Sequence, residues 1–412
     1  METPPGTQPP HPAASLDDGH PGKETCMSGD WQIQYLVVIV FLSLSLFSLI
    51  LNLLTLRSFN QFPTTAKFPR VSILVPARNE ILNIESCVRS LLAQNYPNFE
   101  VIVLDDHSTD GTLAVLRRLA GENPRLTVIE GEPLPDGWLG KHWACHQLSQ
   151  AANGDLLLFT DADTVHHPTM LLDSVSALLS EQADLVSAFP REEVLSWGEQ
   201  LVVPVISFGI LSFLPLNLVR YLRWPSLSVT IGQFMLFQRN AFEAIGGYEK
   251  VQNHLVDDVS LGRNILQQGY EWRLMDGTQH VSCRMYHNFI EVVEGFSKNV
   301  FAFFDYRILP FIIVLTLIGF AFLEPPLAIL SNWLEVPLSS FPRDLAVLAV
   351  IESYLLFHLA YRRFKFPAYL ALLYPISLTL FILIALRSFV LTLSGHATWK
   401  DRTLERVAVR WI

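Results

Sequence analysis

The stretch "LLLFTDADTVHHP", residues Leu156–Pro168, decides how this chain is read. Four apolar residues, Leu156 to Phe159, give way to two carboxylates one residue apart, Asp161 and Asp163. A continuous apolar run of this kind, bounded by turn residues, marks a strand buried on both faces, as in parallel sheets. In such sheets ligands sit at the carboxyl ends of the strands, where these two acids stand. The ordinary alternative is a solvated turn, because so short a motif recurs by chance.

Working outward, "VSILVPA" (71–77), "FEVIVLDD" (99–106), "LTVIEG" (126–131) and "DLLLFTDAD" (155–163) read as four strands. Helical spacing fills the gaps between them: "NEILNIESCVRSLLAQ" with Asn79 as its N-cap, "GTLAVLRRLAG" closed by Gly121, and "KHWACHQLSQAANG". The predicted fold class is α/β, a Rossmann-like and mostly parallel sheet. Three acidic clusters fall at or near strand ends: Asp105-Asp106-His107, Asp161-Ala162-Asp163 and, further on, Asp257-Asp258. Acids repeated along a ligand-facing edge call for a hydroxyl-rich or cationic ligand, or a bridging metal. Their hard oxygens suit Mg2+ or Mn2+, which bridge to substrate phosphates, so a metal–diphosphate site is expected.

The composition asks for more than a soluble domain. Of 412 residues, 50% are hydrophobic and 17% charged, with a mean hydropathy of +0.31. One soluble domain plus several membrane segments fits these values. The net charge of −10 argues against nucleic acid as a partner, which would demand a basic face. Cys26, Cys87, Cys145 and Cys283 lack paired spacing and fit a reducing compartment.

Residues 1–30, rich in Pro, Gly and small polar residues, are expected to be disordered, and they lack the basic start and cleavage site of a signal peptide. Residues 31–57 read as a transmembrane anchor, uncharged until Arg57, with Trp31 and Tyr35 at an interface. Arg57, Lys67 and Arg70 follow the anchor, whereas Asp17, Asp18, Glu24 and Asp30 precede it. That asymmetry places the next domain in the cytoplasm, on the cell membrane. Leu201–Val219 is apolar but broken by Pro204 and Pro215, with Trp197 and Trp224 at its margins. It reads as an interfacial segment, or alternatively as a buried core helix. Residues 308–393 hold three apolar stretches, Ile308–Leu323, Leu345–Tyr361 and Phe366–Leu393, ahead of a basic tail, 394–412. Four spans would put that tail outside, while Lys400, Arg402, Arg406 and Arg410 favour the inside. A transporter is poorly supported, since no long run of alternating spans or repeats appears.

"VSILVPARNE", "VIVLDDHSTDGT", "GKHWACHQLSQAANGD", "LLFTDADT", "QRNAFEAIGGYE" and "VDDVSLGRNILQQGY" together resemble the consecutive blocks of family 2 glycosyltransferases. They stand in that family's order from Val71 to Tyr270. "LPDGWLGKHWACHQ" and the arrangement of anchor and spans are similar to the membrane-bound branch that glycosylates carotenoids or hopanoids.

The resemblance implies a GT-A catalytic domain over residues 68–300 and a nucleotide-sugar donor, a UDP-sugar. It implies donor contacts from Pro76, Ala77, Glu80, Asp105, Asp106, Lys141 and Asp161. Metal ligation falls to Asp163 and Asp161, with His287 a weaker candidate that is equally well read as a packed or surface histidine. Asp258, supported by Asp257, would be the general base of a single inverting displacement, its alternative being an N-cap. Gly246-Gly247 would lie on the acceptor side or simply end a helix. A Q-x-x-R-W motif is absent from "CRMYHNFIEVVEGFSKN", which favours one transfer, to the hydroxyl of a lipid acceptor, over polymer synthesis. His142, Cys145 and His146 lack a fourth ligand at zinc spacing and read as ordinary helix residues, and His166 and His167 as loop residues. Transfer to a polyprenyl phosphate and a non-catalytic membrane scaffold are the competing readings.

Overall fold

The computed structural model describes residues 22–334, 341–394, 398–399, 402–403 and 409–411. Seven strands form the central sheet: β1 (Val71–Ala77), β2 (Phe99–Asp105), β3 (Leu126–Glu130), β4 (Leu156–Phe159), β6 (Leu185–Phe189), β8 (Met235–Gln238) and β9 (Trp272–Asp276). Their spatial order is β3-β2-β1-β4-β8-β6-β9. All pairs are parallel except those made by β8, which runs antiparallel between β4 and β6. A smaller sheet, β5-β10-β7, joins β5 (Thr164–His166), β10 (Val281–Cys283) and β7 (Arg191–Glu192).

The apolar runs explain the layers. Along β1, Ile73 and Val75 pack on one face with the helices Ile84–Leu92 and Met170–Ser180. Leu74 packs on the other face with Leu157, Phe159 and the helix Gly140–Ala151. Alternation of Cβ direction along a strand thus feeds two cores, and each fully buried aliphatic or aromatic side chain contributes ~1.5–3 kcal/mol. The β1–β2 register pairs Ala77 with Asp105, so both strands end level on one edge of the sheet. β4 stops beside Leu74, which leaves Asp161 and Asp163 room to turn across that edge.

Some local expectations give way to tertiary contacts. The first helix of the domain begins at Ile84 rather than just after Asn79. Asn79 sits at φ +53°, and its Oδ1 accepts the Thr109 N–H at 2.8 Å. It therefore ties two loops together instead of capping. The next helix runs through Gly121 to Glu122, and His166 belongs to a strand, with its Nε2 2.9 Å from the Thr164 hydroxyl.

Among the described residues, four helices, Trp31–Thr55, Ile308–Ser331, Arg343–Arg363 and Ala368–Ser394, are long and apolar enough to cross a membrane. The first belongs to a helix that begins at Gly22, so its opening turns fall inside the stretch expected to be disordered, while residues 1–21 lie outside the described residues. The expected basic tail also lies largely outside them; within the described part, Ile308 N–H donates to the Arg410 carbonyl at 2.9 Å.

Residues 197–222 form three short helices, Trp197–Val202, Pro204–Phe213 and Leu216–Leu222. The breaks fall at Pro204 and Pro215, where the ring removes a donor. The middle helix packs among the long apolar helices, with Phe208 stacked on Phe357 at 3.7 Å. Trp197 and Trp224 stay exposed. Four contacts tie these parts together: Asn52 Nδ2 donates to the Leu211 and Leu214 carbonyls, and Arg363 bonds the Leu56 carbonyl and, at 2.6 Å, the carboxylate of Asp276 at the end of β9.

Candidate functional site

A cleft of about 1140 Å³, open to solvent, lies along the carboxyl ends of β1, β2 and β4. Pro76, Ala77, Arg78 and Glu80 line it from the end of β1, Asp106 from β2, and Asp161 and Asp163 from β4. Lys141 and His142 enter from the first turn of the helix Gly140–Ala151, and Asp257 from the start of the helix Asp257–Gln267. Met285, Tyr286, Lys298 and Asn299 complete the lining.

The end of the cleft at β1 and β2 is built by two loops that lock each other. Asp106 N–H donates to the Ala77 carbonyl at 2.8 Å. Ser108 Oγ accepts the Asn79 N–H, and Asp110 Oδ2 the Ile81 N–H. These side chains hold the loop after β2 against the loop after β1. Asp105 is buried and stands behind the cleft, where its Oδ2 accepts the Ser108 N–H at 3.1 Å. It shapes the loop that presents Asp106.

At the end of β4, Lys141 Nζ lies 2.6 Å from Asp161 Oδ1. Burial disfavours that ammonium, but Asp161 and Asp257 outweigh it and hold its pKa well above the ordinary lysine value. Asp163 behaves differently. Burial first, then Asp161 and Glu80, push its carboxyl up to about 7. Its Oδ1 is buried and has no hydrogen-bond partner. Glu192, on β7, is raised well above the carboxylate range by burial and by the same two aspartates.

The second acidic pair is split by its surroundings. Burial would raise Asp257, but Lys141 and His142 dominate and hold it well below its ordinary value. The His142 Nε2 lies 3.6 Å from Asp257 Oδ1, and its Nδ1 lies 3.2 Å from the Gln252 carbonyl. Asp258 is pushed up to about 7 by burial and by Asp257. Its Oδ2 accepts the Gly232 N–H at 2.9 Å and its Oδ1 the Val259 N–H at 2.7 Å. Asp258 thus meets the Gly232 turn, next to the cleft residue Asp257.

The remaining sequence candidates stand elsewhere. His287 is not among the cleft-lining residues; its Nδ1 lies 3.5 Å from Glu291, one helical turn on. Gly246 and Gly247 have φ of +78° and +50°. A Cβ on Gly246 would meet the Lys250 side chain at 2.6 Å, and one on Gly247 the Phe242 ring at 2.8 Å. The pair therefore serves the turn after the helix Arg239–Ala244.

His142, set aside in the sequence reading as an ordinary helix residue, lines the cleft beside Asp257. Its position directly after Lys141 was the available signal. Arg78, whose Nη1 donates to the Asp106 carbonyl at 2.7 Å, stands between the predicted Ala77 and Glu80, and that position was its signal; Glu192, Tyr286 and Lys298 carried no comparable signal, because each comes from a different element.

Residues 72–246 match the family described as Glycosyl transferase family 2. A 4,4'-diaponeurosporenoate glycosyltransferase of Staphylococcus aureus strain MRSA252 is 27% identical over 280 residues, covering 66% of this chain and 70% of its own. Among solved structures, a mannosyltransferase from Pyrobaculum calidifontis in complex with GDP-Man and Mn2+ aligns over 87% of this chain and 99% of its own, with a TM-score of 0.53 and 20% identity. That last likeness concerns the fold, and it extends beyond the α/β domain. With the ordered motifs, the sheet topology and the acid-lined cleft, these similarities make the chain a glycosyltransferase that carries a family 2 domain on a GT-A fold.

Proposed function

We propose that this glycosyltransferase is an integral-membrane, metal-dependent, inverting enzyme that moves one sugar from a nucleotide-sugar, a UDP-sugar, to a hydroxyl of a lipophilic acceptor of the carotenoid, hopanoid or glycolipid type. Its catalytic domain faces the cytoplasm at the cell membrane. The observation that carries the proposal is a cleft lined by Asp161, Asp163 and Asp257, with Lys141 paired to Asp161 and under the charge of Asp257, beside four helices of membrane-spanning length.

Asp258 is suited to act as the base. Two adjacent carboxyls with pKa values driven apart divide the labour between them. Asp257 keeps its charge through Lys141 and His142 and does not compete for a proton. Asp258, raised to about 7, accepts the acceptor hydroxyl proton near neutral pH, where general-base catalysis is efficient. The acceptor oxygen attacks the anomeric carbon opposite the diphosphate; the new C–O bond forms as the bond to the phosphate oxygen breaks, and the configuration inverts. Backbone N–H groups at Gly232 and Val259 aim the carboxylate. Asp106 and the mutually locked loops around it hold the nucleotide base.

The residues at the end of β4 fit a divalent cation, Mg2+ or Mn2+. A buried carboxylate oxygen without a hydrogen bond, in a group forced towards its neutral form by other acids, is the donor set a hard cation relieves. Asp163 and Asp161 would hold it, and it would supply positive charge for the departing diphosphate. Lys141 orients Asp161 and links the donor acids to Asp257.

Membranes holding the chain, incubated with a panel of labelled nucleotide-sugars, test the reading. Label in a single-sugar lipid, lost in EDTA and regained with Mn2+, is the expected result. Label appearing only in polyprenyl phosphate, or in no lipid at all, refutes it.

A further inference from the structure

We propose that Lys298 is a diphosphate-binding residue of the donor site, delivered by the helix Phe289–Asn299. The inference rests on the nucleotide-sugar reading above. The cleft lining holds five carboxylates, Glu80, Asp106, Asp161, Asp163 and Asp257, against three permanent cations, Arg78, Lys141 and Lys298. A nucleoside diphosphate adds further negative charge, so the position of each cation matters. Lys298 lines the cleft from the last turn of the helix Phe289–Asn299.

That helix is held firmly enough to place the lysine. Asn288 caps its start by accepting the Glu291 N–H at 3.0 Å. Gly198 of the neighbouring helix lies so close that an added Cβ would meet Phe289 Cβ at 2.6 Å. An added Cβ on Gly295 would collide with the Tyr286 ring and hydroxyl. Val292 and Phe296 are buried below, and just past the helix the Phe301 N–H donates to Ser388 Oγ at 3.1 Å. Two glycine notches and a cap therefore set both the height and the rotation of the helix, and the lysine in its last turn faces the cleft rather than solvent alone. The competing role, a lysine that only complements the helix C-terminus, predicts no selectivity for phosphate number.

The test is calorimetric titration of the detergent-solubilised full chain with UDP and with UMP, each in the presence of Mn2+. Lys298→Gln is expected to weaken UDP binding by about 10- to 100-fold, the effect of losing one charge-assisted hydrogen bond, and to leave UMP binding within about twofold. Lys298→Arg should restore most of the UDP affinity. Equal weakening of UDP and UMP, or UDP binding unchanged in Lys298→Gln, overturns the assignment while leaving the donor reading intact. If the unsubstituted chain binds neither nucleotide, the UDP-sugar reading falls and the assignment falls with it.

Discussion

Replacing Asp163 by Asn is expected to stabilise the metal-free protein while abolishing turnover. The carboxyl stands at about 7 against an ordinary 3.8, first through burial and then through Asp161 and Glu80. A raised carboxyl binds its proton more tightly in the folded chain than in the unfolded one. The associated stability is complete below about pH 4 and is lost as pH rises through 7. At ~1.4 kcal/mol per pKa unit, the ionised group costs at most ~4 kcal/mol above pH 7. Contact with solvent and sharing among three acids reduce this to ~1–3 kcal/mol. The amide does not ionise, so Asp163→Asn escapes that cost. In EDTA at pH 8 its melting temperature should exceed that of the unsubstituted chain by about 2–8 °C, and the gap should close towards pH 4. Mn2+ at 100 times its Kd should then stabilise the unsubstituted chain by ~2.7 kcal/mol and the variant hardly at all. Thermal unfolding of purified protein in detergent, with EDTA or Mn2+ at each pH, provides the measurement. A variant that melts lower in EDTA at pH 8, or that responds to Mn2+ as the unsubstituted chain does, refutes the reasoning.

Further expectations rest on other contacts. Asp258→Asn should lower kcat by about 10²- to 10⁴-fold with nucleotide affinity retained; full activity in the variant ends its assignment as base. Because Asp258 must be ionised to accept a proton, kcat/KM should fall as pH drops below about 7, and a flat profile from pH 5 to 8 contradicts this. Lys141→Met removes the 2.6 Å pair with Asp161 and a cation beside Asp257; both donor KM and kcat should worsen, whereas unchanged kinetics would show that the bridge does not matter. Gly198→Ala drives a methyl against Phe289 and should cost about 1–3 kcal/mol by overpacking, read as a lower melting temperature; an unshifted melt would show that the two helices separate readily.

The reading of the α/β domain from local pattern succeeded where one chemical signal was continuous. β1 and β2 are runs of apolar residues buried along most of their length, so periodicity and boundary agreed. Asn79 and Gly121 show the limit of that approach. Asn79 has the composition of a cap, yet its side chain bonds Thr109, thirty residues away, and no local rule contains that partner. β8 is the harder case. Its four residues are not among the strands read from the pattern, and they become one because the gap between β4 and β6 supplies two antiparallel partners.

What the sequence by itself determined was the chemistry on offer: an α/β domain, acids at its strand ends, and flanking helices too apolar for water. Residue type and spacing are local properties, and those conclusions need nothing else. Tertiary structure alone decided how the acids differ. Asp257 and Asp258 are neighbours of identical type, and their proton affinities part because Lys141 and His142, from another helix, face the first, while burial and that first charge weigh on the second. The same holds for Lys298 and Tyr286, which reach the cleft only because two glycines let a distant helix dock. Electrostatic interaction depends on separation and burial in space, and a linear sequence records neither.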